Sequence, residues 1–233
     1  MRYNREYELT IQIERDQAIV IRPPFNVVFI ADKSTDKSLN KMNISIYGLS
    51  LAKELSIIKN SEEKKNYEVT LKVGYQDNIE SVFKGYINTG EKSRNGANSE
   101  LILECIDGGF DARFSFTSKT IKGKSVIDAI LEDMPNTRKG KITTQAILTR
   151  PRVLVGNSWS LIEQNVNNSE YYIEDGQLNV LNSNEVVNSF IPVVQPSTGL
   201  ISTPTNDKQD VTFQTMMNPS LKIGGLCQIN SKY

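Results

Sequence analysis

Glu8-Leu9-Thr10-Ile11-Gln12-Ile13-Glu14 alternates polar and apolar residues without a break. Successive side chains of a strand point to opposite faces, so this order buries one face and wets the other, which a helix would not do. Outward from it, Ala18-Ile19-Val20-Ile21 runs into Pro23-Pro24, which cannot donate to a ladder and so mark a corner or an edge. Phe25-Asn26-Val27-Val28-Phe29-Ile30-Ala31 is apolar on both faces, as expected of a central strand or one covered by a partner chain. Lys41-Met42-Asn43-Ile44-Ser45-Ile46-Tyr47 alternates again, residues 48–55 read as a turn and a short helical piece, and residues 59–66 as a polar loop. Strand signals resume at residues 67–73, 81–87 and 100–107, with Asn95-Gly96 in a polar turn before the last. About seven strands in about 107 residues, with almost no helix, predict a β-barrel or tightly curled sheet.

After Asp111 the period changes. Val126, Ile127, Ile130, Leu131 and Met134 share a helical face, with Ser125 and Asp128 as a capping pair and Pro135 as a stop. A second helix starts near Ser158, placing Trp159, Ile162 and Val166 together, and Asp175-Gly176 between two apolar runs is a hairpin signal. Strands return at residues 190–194, 211–215 and 226–229, with Pro192, Pro196 and Pro204 at edges or ends. The expectation is a mainly β protein: residues 1–111 with 188–233 form a discontinuous tube-like β domain, completed by the C-terminal segment, and residues 112–187 form a small α/β insert.

The 233 residues suffice for one large or two modest domains, and 38% hydrophobic content supports a core. Twenty-seven basic residues balance 27 acidic ones, which argues against affinity for nucleic acid through phosphate neutralisation and leaves little repulsion between copies. No histidine is present, removing the usual proton shuttle and the commonest transition-metal ligand, and Cys105 and Cys227 read as small hydrophobes in strands. No cofactor and no metal site are expected. Residues 1–6 lack the apolar core of a signal peptide and no run approaches a membrane span, so the expectation is a chain folded in a cytoplasm without membrane insertion.

The candidate chemical groups read as structure. Glu132 and Asp133 are adjacent on a helix and point apart, and Asp175 belongs to its turn, so neither pair makes a facing acid and base. Gly108-Gly109 and Gly224-Gly225 lack the lysine and hydroxyl of a phosphate loop and read as turns needing positive φ. Residues 32–38 lack the glycine and terminal glutamate of a calcium loop. Trp159 reads as core. One feature favours function: Phe25, Val27, Val28, Phe29 and Ile30 need a cover, which a neighbouring subunit can supply.

Thr198-Gly199-Leu200-Ile201-Ser202-Thr203-Pro204, then Thr212-Phe213-Gln214, then Met216-Met217-Asn218-Pro219-Ser220-Leu221-Lys222-Ile223-Gly224-Gly225-Leu226 resembles the closing segment of baseplate hub proteins of contractile-tailed bacteriophages. Val73-Gly74-Tyr75, Val82-Phe83-Lys84-Gly85-Tyr86-Ile87 and Cys105-Ile106-Asp107-Gly108-Gly109 are similar to earlier pieces of the same family, in the same order. The motif residues are therefore Gly74, Tyr75, Gly85, Asp107, Gly108, Gly199, Pro204, Asn218, Pro219 and Gly224. The resemblance implies a structural, non-enzymatic subunit of the virion. Three copies would form a ring joining the tail tube, or a tube-adaptor protein, to the central spike, with the tape-measure protein and DNA passing through the lumen. Two rival readings stay open: a tail-associated cell-wall hydrolase, and a receptor- or carbohydrate-binding β module.

Overall fold

The computed structural model describes residues 4–231 apart from 15–16, 63–66, 77, 97, 144–146, 167–168, 183, 188–189 and 209. The end of the loop expected at residues 59–66 and the boundary expected at residue 188 lie outside the described residues. The first part of the chain supplies β1 (Arg5–Glu14), β2 (Gln17–Ile21), β3 (Asn26–Asp32), β4 (Lys41–Tyr47), α1 (Leu51–Glu62), β5 (Glu68–Tyr75), β6 (Asn78–Asn95) and β7 (Asn98–Ile106). Its seven strands form one antiparallel sheet in the order β2-β1-β5-β6-β7-β4-β3.

Strands β2 and β3, consecutive in the chain, are thus the two opposite edges of the sheet. Laid flat, six inter-strand spacings would separate them by about 29 Å. Only residues 22–25 connect them, and the step from Ile21 to Asn26 spans at most about 18 Å. The sheet therefore curls until its edges approach, and because β2 and β3 do not pair, it stays an open curl. Pro23 and Pro24 sit at that corner, where no ladder hydrogen bond is needed.

The period-two residues fill the inside. Leu9 and Ile11 of β1, Met42, Ile44 and Ile46 of β4, Val69, Leu71 and Val73 of β5, Phe83 of β6, and Leu101, Leu103 and Cys105 of β7 are all buried in one cluster with Ile21. Helix α1 adds Ile57 and lies against β6. It is fixed by the buried Glu54, whose Oε2 meets Lys92 Nζ at 2.7 Å and whose Oε1 accepts from Ser99 Oγ at 2.6 Å. The helix outruns its expected length, reaching Glu62. Residues 59–62 are polar and carry no apolar period, but a helix once nucleated gains a backbone hydrogen bond with each added residue.

The chain continues through α2 (Gly109–Phe114), β8 (Phe116–Ile121), α3 (Val126–Leu131), β9 (Arg138–Ile142), β10 (Arg152–Asn157), α4 (Ser158–Asn165), β11 (Glu170–Glu174) and β12 (Gln177–Leu181). Strands β8 and β10 form a two-stranded ribbon, and β9, β12 and β11 a three-stranded sheet. Ser125 caps α3 by accepting from Asp128 N at 3.4 Å, and Asn157 caps α4 by accepting from Ser160 N at 3.0 Å. Asp175 (φ 51°) and Gly176 (φ 73°) make the hairpin turn between β11 and β12, both in the left-handed region that a two-residue primed turn requires. Ile127, Ile130, Met134, Leu161, Ile162, Val166, Tyr171 and Ile173 form a second apolar cluster, and Trp159 packs on it with its ring centroid 5.5 Å from that of Tyr171.

The last stretch contains β13 (Val193–Val194), β14 (Thr205–Asp207), β15 (Asp210–Thr212) and β16 (Gln228–Ile229). These pair only as β13 with β16 and β14 with β15, so none of them enters the seven-stranded sheet. Instead Met217 packs on the first cluster and Lys222 Nζ donates to Ser81 O at 2.9 Å.

Phe83 is fully buried inside the curl. Phe83→Ala is expected to lower unfolding free energy by about 3–5 kcal/mol in equilibrium denaturation, with the fold retained.

Candidate subunit interface

Of the two positions open to β3, a central strand or one covered by a partner chain, the first does not hold: it is an edge that pairs with β4 alone among the described residues, and its other side offers a row of backbone donors and acceptors. Of the five residues singled out, Val27 and Phe29 turn inward and pack on the first cluster. Phe25, Val28 and Ile30 face outward, 41%, 51% and 62% exposed. The opposite edge, β2, adds the exposed Val20. The sequence pattern marked an unusual strand because both faces are apolar; the structure divides them into a core face and an exposed one.

The corner between these edges is pinned. Tyr7 Oη donates to Phe25 O, and Arg22 donates through Nε to Glu8 Oε2 at 2.9 Å, while Lys72 Nζ meets Glu8 Oε1 at 3.2 Å. The Arg22 hydrogen bond, with help from Lys72 and against partial burial, holds the Glu8 carboxyl below the usual carboxylate range.

A second apolar face lies on the β8–β10 ribbon. Phe116, Val153 and Val155 are each more than half exposed, with Phe114 at the end of α2 beside them in the sequence. Sequence reasoning passed over this face. Its signal was the run Arg152-Val153-Leu154-Val155, in which only Leu154 enters the core.

Most of the motif residues stand at places where separate parts of the chain meet. Gly74 and Tyr75, at the β5–β6 turn, share a cavity of 330 Å³ with Asn218 and Pro219, more than 140 residues away in the chain. Asn218 forms its own turn, accepting from Leu221 N at 3.1 Å. Asp107 Oδ1 accepts from Gly176 N at 3.0 Å, tying the end of β7 to the β11–β12 hairpin. Beside it the buried Asn40 donates to Ile173 O at 2.7 Å and Lys33 Nζ meets Glu174 Oε1 at 3.2 Å. Gly108 (φ 65°) faces Ile173, and Gly224 (φ 66°) faces Tyr172; a side chain at either would overlap its neighbour. Gly109 and Gly225, expected to share this backbone form, do not: Gly109 opens α2. Gly85 sits where a Cβ would come within 2.7 Å of the Phe83 ring. Gly199 and Pro204 lie on a separate hairpin, where Gly199 O accepts from Met216 N at 2.7 Å and Pro204 precedes β14.

An open curled sheet, a sewn seam and exposed apolar residues on β3 and on the β8–β10 ribbon describe a β scaffold with apolar surface left uncovered. The family model for baseplate hub gp41 matches residues 8–233, and the chain belongs to that family. It is a structural component of the baseplate of a phage tail. Its fold is similar to that of a tail protein from Neisseria meningitidis (TM-score 0.56, 13% identity, covering 97% of this chain and 71% of that one). It is also similar to a 43 kDa tail protein of prophage MuSo2 from Shewanella oneidensis (TM-score 0.56, 10% identity, covering 99% and 74%). A chain of the lidded PdpA–VgrG complex from Francisella shares the fold as well (TM-score 0.55, 10% identity, covering 100% and 40%). No curated protein matches the sequence. No helix among the described residues is long and apolar enough to cross a membrane.

Gly224→Ala tests the seam. Left-handed backbone costs an L residue about 1–2 kcal/mol, and the overlap with Tyr172 adds to it. The expected result is a loss of more than about 1 kcal/mol in chemical denaturation, with far-UV circular dichroism unchanged.

Proposed function

We propose that this chain is a ring segment of the baseplate hub: three copies close around a lumen, join the tail tube or a tube-adaptor protein to the central spike, and leave a path for the tape-measure protein and DNA. The single observation that carries the reading is β3, an unpaired edge with Val28 and Ile30 exposed on its outer face, in a chain of the baseplate hub family. A closed ring uses heterologous contacts, in which two different patches meet. The edge at β3 and the face of the β8–β10 ribbon are two such patches, and zero net charge leaves copies free to approach. The fold shared with a chain of a PdpA–VgrG complex suits a chain that assembles with other proteins. Assembly in the host cytoplasm is part of the same proposal, as is the division into residues 1–111 with 188–233 and residues 112–187. The two separate apolar clusters support that division.

Sedimentation velocity at micromolar concentration, with and without the spike and tube proteins, tests the reading. The wild type is expected to reach three chain masses. Ile30→Lys, at an exposed position, is expected to change monomer stability by no more than about 0.5 kcal/mol and to weaken association at least about tenfold, or 1.4 kcal/mol. A wild-type monomer in the presence of both partners would contradict the proposal.

A further inference from the structure

The β8–β10 ribbon changes character along its length. Phe116, Val155 and Val153 leave it apolar at one end. At the other, Arg152 pairs with Ile121 and Gly123 N donates to Leu148 O at 2.8 Å, so Lys122, Arg150 and Arg152 fall on neighbouring positions of one ladder. All three are exposed, and none forms an ion pair among the described residues. The other lysines nearby are neutralised: Lys119 Nζ meets Asp133 Oδ2 at 2.9 Å, and Lys124 contacts Glu132. The ribbon is therefore an apolar strip that ends in three free positive charges.

Strand β3 repeats this order with the opposite sign. Val28 and Ile30 are followed, at the same period of two, by the exposed Asp32. Past the end of the strand Asp36 forms a parallel β-bridge with Tyr171, which brings the exposed Glu170 beside it, and Glu163 lies against the Tyr171 hydroxyl. Two lysines stand among these carboxylates: Lys41, across the ladder from Asp32, and Lys37, whose Nζ is 5.8 Å from the Tyr171 ring centroid. Lys33 is spent on Glu174. Four carboxylates against two lysines leave this end negative.

The two strips also match in length, since Val28 to Asp32 spans about 13 Å and Val155 to Arg152 about 10 Å. They stand on separate sheets: β3 is an edge of the seven-stranded one, while the ribbon packs through α3 against the second apolar cluster. Two different patches are what a head-to-tail contact requires.

We propose that the ribbon is covered by a second copy of this chain, whose β3 lies along β10 and antiparallel to it. Val28 and Ile30 of one copy then cover Phe116, Val153 and Val155 of the next, while Asp32, Asp36 and Glu170 face Lys122, Arg150 and Arg152. The pairing rests on the ring reading and adds to it which end of each patch meets which. The opposite direction would set three cations against Val28 and Ile30 and take them out of water without a partner. Charges arranged in this way fix the register of a contact and exclude the wrong one more than they add affinity.

Charge reversal tests this, read by sedimentation velocity of the full chain with the spike and tube proteins. Lys122→Glu with Arg152→Glu is expected to weaken association at least about tenfold, and Asp36→Lys with Glu170→Lys to do the same. A chain carrying all four changes is expected to return to within about threefold of the wild type, because the attraction is restored with its signs exchanged. Lys122→Gln with Arg152→Gln, and Asp36→Asn with Glu170→Gln, carry the test should a reversed chain not fold; each pair is expected to weaken association about two- to fivefold. Loss in both reversed pairs without recovery in the combined chain would overturn the pairing. Association unchanged by these variants but weakened by Ile30→Lys would leave the ring standing and sink the pairing alone, whereas a wild type that stays monomeric with both partners would sink both.

Discussion

Arg22, Pro23, Pro24 and Phe25 are all that separates the two outermost strands of a seven-stranded sheet, and their shortness bends everything around them. Four residues cannot cross a flat sheet of that width, so the strands wrap about their own inner face. Wrapping turns an alternating pattern into an enclosed core: Leu9, Ile44, Leu71, Phe83 and Leu103 meet because the curl brings non-neighbouring strands together. Wrapping also leaves two edges near one corner, unpaired with each other and bearing exposed Val20, Val28 and Ile30. Helix α1 lies against β6 on the Glu54–Lys92 contact, so the far half of the longest strand is not left bare. Edge β3 has no such cover among the described residues.

The seam follows from a second constraint. The loop after β3 and the end of β7 both stop against the β11–β12 hairpin, so Lys33, Asn40 and Asp107 supply polar partners to backbone and side chains there. Small residues let the backbones close: Gly108 against Ile173 and Gly224 against Tyr172. The residues that carry the family resemblance are mostly these joints. Their presence in one order reflects how the parts are sewn together, while the contact surface resides in the apolar residues of β3 and the β8–β10 ribbon.

Much of this was legible in the sequence. Period-two runs and short continuous apolar runs located the seven strands of the sheet, Ser125 and Asp128 marked the start of α3, and Asp175-Gly176 marked the β11–β12 turn, because each signal is local. The edge position of β3 was not legible, since a strand apolar on both faces reads the same at the middle of a sheet and at an edge awaiting a neighbour. The convergence of Gly74 and Tyr75 with Asn218 and Pro219 was hidden as well, because it depends on long-range packing. Asp107 was read as part of a turn motif; that it is buried against the β11–β12 hairpin, accepting from Gly176 N, depends on a contact 69 residues away in the chain.

The central claim is that the curled sheet is finished by another copy at β3. Hydrogen–deuterium exchange resolved to residues 26–32, in the isolated chain and in the assembled baseplate, measures it most directly. The account predicts that amides on the free side of β3 exchange rapidly in the isolated chain and become strongly protected on assembly, while those paired with β4 are protected in both. Equal, rapid exchange of the free-side amides in both states would contradict it.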